Sequence, residues 1–227
     1  MQTVNGPIAI RTMPVRVPIG REVLYGDLAL PPAAQGIVLF AHGSGSSRHS
    51  PRNQFVARAL QQRDLGTLLI DLLTPQEEAI DDRTAHLRFD IPMLAARLVA
   101  IVDWLRATTD TAALGIGLFG ASTGGGAALV AAAERPRQIG AVVSRGGRPD
   151  LAGRSLSRVT TPTLLIVGGF DAPVIQMNRD AMRQMSAEVR LEIVPGATHL
   201  FEEPGTLERV ADLAGQWFAR YLRPTQP

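Results

Sequence analysis

The chain of 227 residues contains no cysteine and no lysine, and all 23 of its basic residues are arginine. The first absence excludes disulfides, thiolate-held metals and a cysteine nucleophile. The second excludes a Walker-type phosphate loop, a Schiff-base mechanism and a serine paired with lysine. Aromatic residues make up only 5%, the formal net charge is only +2, and the arginines are scattered rather than gathered in a block. Neither nucleic acid nor a membrane surface is therefore an expected partner. No apolar run approaches the roughly 20 residues that span a bilayer. Met1 to Ile10 carries neither the basic start nor the long apolar stretch of a secretory leader, so a cytoplasmic location is expected. With 45% hydrophobic residues the chain can bury a full core, and one domain over residues 1–227 is expected.

What is present has a clear rhythm. Val15 to Pro18 and Val23 to Leu30 flank a turn at Gly20 and read as an antiparallel hairpin. Short apolar runs follow at Gly36 to Ala41, Thr67 to Ile70, Leu114 to Phe119, Ala141 to Ser144, Thr163 to Val167 and Arg190 to Val194, as buried parallel strands require. Segments of helical period separate most of them: Asn53 to Arg63, Ile91 to Arg106, Thr123 to Glu134, Val174 to Met185 and Leu207 to Leu222. The predicted fold is α/β, a mostly parallel eight-stranded sheet with helices on both faces. Leu72 to Asp90 has the weakest pattern and reads as a surface loop or as a wall of the site.

Gly120-Ala121-Ser122-Thr123-Gly124 joins an apolar strand to an alanine-rich helix. A side chain at the tip of such a tight turn sits in strained backbone geometry, and bulk two residues before or after it would collide with its neighbours. Glycine supplies the missing bulk. Ser122 then stands at a helix N-terminus, where the Thr123 N–H can meet an oxyanion. The bland reading is a serine that merely caps the helix.

A serine nucleophile needs a neutral imidazole and a carboxylate to orient it. His199, in Pro195-Gly196-Ala197-Thr198-His199, follows the last strand and is the preferred base. His42 ends a strand and reads as shaping its loop, while His49 and His86 lie in polar segments. Asp171, between a strong strand and a helix, is the preferred acid. Its bland reading is again a helix cap, and Asp150 is the competitor.

The order Ser122, Asp171, His199 resembles that of the α/β-hydrolase family, over nearly the whole chain. His42-Gly43-Ser44 looks like that family's oxyanion segment, which implies the Ser44 N–H as second donor beside Thr123. The small size, with no lid insertion between Arg145 and Val159, resembles dienelactone-hydrolase-like enzymes and small carboxylesterases. Dienelactone hydrolases proper use cysteine, so Ser122 is a departure that favours esters over lactones. The resemblance implies hydrolysis of a small-molecule ester through an acyl-enzyme, with no cofactor and no metal. A non-catalytic binder, an acyltransferase and a perhydrolase on the same residues remain alternatives. Arg145 and Arg148 follow a strand at its carboxyl end, where a guanidinium could hold a substrate carboxylate. Gly115-Ile116-Gly117-Leu118-Phe119-Gly120 matches a dinucleotide fingerprint, but its first two glycines fall inside a strand.

Overall fold

Turn chemistry sets the first two strands. Gly20 takes a φ of +61° at the head of a two-residue turn, and β1 (Arg11–Ile19) pairs antiparallel with β2 (Glu22–Leu30), Ile19 opposite Glu22. The computed structural model describes residues 10–222; residues 1–9, most of the stretch read above for a leader, lie outside the described residues. Six more strands follow: β3 (Gly36–Ala41), β4 (Leu65–Ile70), β5 (Gly115–Ala121), β6 (Ile139–Arg145), β7 (Thr163–Gly168) and β8 (Val189–Val194). They form one sheet in the order β1-β2-β4-β3-β5-β6-β7-β8. β2 is antiparallel to both its neighbours, and every pairing from β4 to β8 is parallel. β3, β4, β5 and β7 are buried along their whole length, which is why they read as unbroken apolar runs.

Helices α1 (Pro51–Gln61) and α6 (Thr206–Tyr221) cover one face. α3 (Ile91–Ala107), α4 (Thr123–Glu134) and α5 (Ala172–Met182) cover the other. The predicted α6 stripe packs inward: Val210, Ala214, Trp217 and Phe218 are buried, with Leu207 and Tyr221 against them. Each fully buried Leu or Phe contributes about 2 kcal/mol of burial free energy. Ser50, Thr74 and Asp90 cap helices with their side chains, and each cap is followed by a proline in the first turn.

The segment 72–90 contains a helix that periodicity did not predict, α2 (Pro75–Thr84). Asp81 is its one buried residue, so it has no apolar stripe to detect. Its start is fixed by a capping box: Thr74 accepts from the Glu77 N–H while the Glu77 carboxylate accepts from the Thr74 N–H. Between β6 and β7 the chain makes only 3-10 turns over Pro149–Arg158, kinked at Gly153, and no large lid.

Gly115 and Gly117 lie within β5, as expected of a false dinucleotide fingerprint. A Cβ on Gly117 would come within 2.6 Å of the Phe218 ring, so this glycine makes room for α6. Gly117→Ala is predicted to lower the unfolding free energy by about 1–3 kcal/mol through overpacking. A urea titration measures it, and an unchanged midpoint would contradict this role.

Candidate active site

β3 and β5 are neighbours, yet the chain leaves β3 toward β4 and leaves β5 toward β6 on the opposite side. Ligands of open α/β sheets bind in the crevice such a reversal opens at the carboxyl ends of the strands. The loops that follow these two strands carry His42 to Ser50 and the Ser122 turn.

Ser122 adopts φ 50° and ψ −119°, a region that residues with side chains rarely occupy. A Cβ on Gly120 would sit 2.6 Å from the Gly124 carbonyl oxygen, and one on Gly124 would press into the Ala41 carbonyl oxygen. The steric reason for both glycines thus holds. Ser122 N–H donates to Arg145 O at 3.2 Å, and Ser122 O accepts from Gly125 and Arg148 N–H at 3.0 Å each. Its side chain makes no capping bond to α4, so the bland reading fails on geometry.

The same holds for Asp171. It occupies the N-cap position of α5 but caps nothing with its side chain. Its Oδ2 instead accepts from His199 Nδ1 at 2.6 Å. This bond fixes the tautomer and leaves Nε2 free to take a proton. His199 lies against Gly146, where a Cβ would be 3.4 Å from the ring. Among the described residues neither Ser122 Oγ nor His199 Nε2 makes a hydrogen bond, so their mutual contact is open in this conformation, as is common in unliganded sites. Asp150 pairs with Arg148 and takes no part in this cluster.

The Thr123 N–H heads α4 and has no intrahelical acceptor. The Ser44 N–H, expected as its companion, donates to Thr123 Oγ1 at 2.9 Å. Sequence reasoning missed this role of the Thr123 hydroxyl. His42 shapes the loop as expected: Nδ1 lies 3.0 Å from Gly43 O, and Nε2 accepts from Leu72 N–H at 3.0 Å. Only a neutral ring protonated on Nδ1 satisfies both partners, and burial pushes its pKa below the usual 6.5.

Part of Leu72 to Asp90 forms the wall of a pocket beside the Ser122 turn. Together with His42, Ser44 and Thr123, its residues Glu78, Asp82 and Arg88 enclose a cavity of about 30 Å³. The Thr74-to-Glu77 capping box was the available signal for this wall. The two arginines fare differently from expectation. Both carboxylate oxygens of Asp150 engage the Arg148 Nε and Nη2 edge, at 2.9 and 2.7 Å, so that edge already has a carboxylate partner. Arg145 is buried, its guanidinium 6.0 Å from the Phe201 ring centroid, with Nε and Nη1 enclosed and unpartnered. Burial, reinforced by nearby Arg52, pushes its pKa down to about 10. Among the described residues no group of three or more His, Asp or Glu could hold a metal, and no helix is long and apolar enough to cross a membrane.

The sheet order, the flanking helices and the strand-to-helix turn at Ser122 define an α/β-hydrolase fold. The dienelactone hydrolase family profile matches residues 54–221, and the chain belongs to that family. A crystal structure of dienelactone hydrolase from Anabaena variabilis is 63% identical, with a TM-score of 0.93 over 94% of this chain and 99% of that one. Est1E from Butyrivibrio proteoclasticus shares the fold at TM-score 0.75 and 17% identity, over 91% of this chain and 98% of that one. Two Mycobacterium tuberculosis proteins, named provisionally as phosphoribosyl transferases, are 54% identical over 213 residues. That match covers 94% of this chain but 47% of each relative, so the chain spans about half their length. The family and fold support a hydrolase at a general level.

Because His42 is held neutral, its unfolded counterpart binds a proton first as pH falls. Its contribution to stability is complete above about pH 6.5 and is lost below it, by at most about 1.4 kcal/mol per pH unit. Unfolding free energies measured from pH 7.5 to 5 should fall more steeply for the parent than for His42→Asn. Equal slopes would contradict the neutral assignment.

Proposed function

We propose that the chain is a serine hydrolase that cleaves carboxylic esters through an acyl-enzyme. The observation that carries this reading is the Asp171 carboxylate, which forgoes capping α5 and holds the His199 ring at 2.6 Å. Ser122 Oγ attacks the ester carbonyl while His199 Nε2 takes its proton. The oxyanion forms beside the Thr123 N–H and the Ser44 N–H, replacing the Thr123 hydroxyl as the acceptor of the latter. His199 returns the proton to the departing alcohol. Water then repeats the sequence on the acyl-enzyme, and Asp171 stabilises the imidazolium in both halves. Each oxyanion donor supplies roughly 3–4 kcal/mol where such effects have been measured. The scheme uses no metal and no organic cofactor. Arg148 has no part in it, and we assign Arg145 to bracing the histidine loop through Phe201.

The name of the mycobacterial relatives points to phosphoribosyl transfer. As much of each relative again lies outside the match, and that half can hold chemistry of its own. Acyl transfer differs from hydrolysis only in which nucleophile wins over water.

A fluorophosphonate probe should label Ser122 stoichiometrically, and p-nitrophenyl esters should turn over. Ser122→Ala should abolish labelling and lower turnover by about 10⁴ or more. Folded protein that takes up no probe would favour a binding role. Asp171→Asn should cost about 10⁴ by releasing the tautomer, while Asp150→Asn leaves turnover within a few-fold. The reverse ranking would move the acid to Asp150.

A further inference from the structure

The two edges of the sheet are unlike. β1 carries Pro14 and Pro18, which have no N–H to offer a foreign strand. β8, Val189-Arg190-Leu191-Glu192-Ile193-Val194, has no proline, and nothing among the described residues pairs with its outer side. Thr163 N–H donates to Glu188 O, and Gly169 N–H donates to Val194 O. The even-numbered carbonyls of β8 therefore face β7. By strand alternation, the N–H and C=O groups of Val189, Leu191 and Ile193 point outward.

We propose that two copies of this chain pair through β8, antiparallel and centred on Leu191, to form a symmetric dimer with one continuous sheet. A two-fold axis at Leu191 sets it opposite itself and sets Val189 opposite Ile193 of the second copy. These are the residues with outward amides, so each pair exchanges both of its N–H···O bonds. The remaining pairs are Arg190 opposite Glu192, twice by symmetry. They fall in the non-hydrogen-bonded register, where Cα atoms are only about 4.5 Å apart. Apolar residues thus meet apolar residues on one face, and opposite charges meet on the other. This strand is complementary to itself, as an isologous interface demands, which favours a second copy over an unrelated strand.

Two further observations support the seam. Arg190 Nε lies 2.5 Å from Glu192 Oε1 within one chain, with the arginine side chain 62% exposed. Such a pair at a solvent-exposed rim stabilises a monomer little. In the dimer each carboxylate would sit between two guanidiniums. Ile193, whose amide points outward on β8, is also one of the large hydrophobic side chains exposed on the described surface, at 37%.

The test is sedimentation velocity of the full chain over the micromolar to submillimolar range. The parent should show a concentration-dependent species of twice the chain mass. Glu192→Arg and Arg190→Glu each place like charges opposite one another twice, and should weaken association about tenfold or more. Circular dichroism serves as the control for folding. Equimolar mixing of the two single variants should restore dimers, because each strand then faces its charge complement, and R190E/E192R should dimerise alone. A parent that stays monomeric throughout overturns the proposal. So does a dimer indifferent to both substitutions, or a mixture that fails to reassociate.

Discussion

A residue with a side chain is held at positive φ between β5 and α4, and the site is arranged around that strain. A conformation like that of Ser122 costs of order 1–3 kcal/mol and persists only where neighbours over-determine it. Here Arg145 O fixes its N–H, while Gly125 and Arg148 N–H groups fix its carbonyl. Gly120 and Gly124 leave room for α4 to start directly against Ala41. The strain has two consequences. It keeps the hydroxyl off the helix it would otherwise cap, and it aims the first amide of α4 at the same crevice. Pairing of β5 with β6 is what ties this turn to Gly146 and so to the His199 ring.

Most of this was legible because the signals were local. Buried strands announce themselves as apolar runs, and the limits of β3 and α4 coincide with those read from sequence. Ser122, Asp171 and His199 each follow a strand at its carboxyl end, and the structure brings Asp171 and His199 into hydrogen-bond contact. What escaped depended on partners distant in sequence. α2 buries no apolar stripe, and its start rests on a cap and on Arg97, which lies 20 residues beyond Glu77. The Thr123 hydroxyl meets the Ser44 amide across 79 residues, so no local pattern could reveal that the amide already has an acceptor. The pairing of Arg148 with Asp150 went unseen because Asp150 was weighed only as a rival acid.

These distant partners form a chain of hydrogen bonds that links α2 to the loop after β3. Arg97, buried on α3, donates to both Glu77 oxygens and to Leu72 O. That bonding holds the Glu77 carboxyl below the usual carboxylate range, so it stays an acceptor for the Thr74 N–H. Leu72 N–H in turn donates to His42 Nε2, and His42 Nδ1–H reaches Gly43 O. On the other side Arg48 bonds Asp71 through backbone and side chain. A donor lost at a buried point of this path, such as Arg97, would leave its acceptors unpaired at about 1–3 kcal/mol each. The capping box of a polar helix is thereby tied to the loop that carries Ser44, the oxyanion donor of the proposed mechanism.

Arg145 sets the electrostatic background. It remains charged at neutral pH even with its pKa lowered to about 10, and among the described residues no carboxylate pairs with it. The face of Phe201 meets part of that charge. An uncompensated cation near the crevice favours negative charge there and opposes a second positive charge. In the proposed mechanism the oxyanion gains from it. Asp171 acts on the other side of the crevice, its carboxylate 2.6 Å from His199 Nδ1 and so within hydrogen-bond range. In that mechanism the two groups divide the work, the buried arginine favouring negative charge on the oxyanion and the carboxylate orienting the imidazole that takes the serine proton.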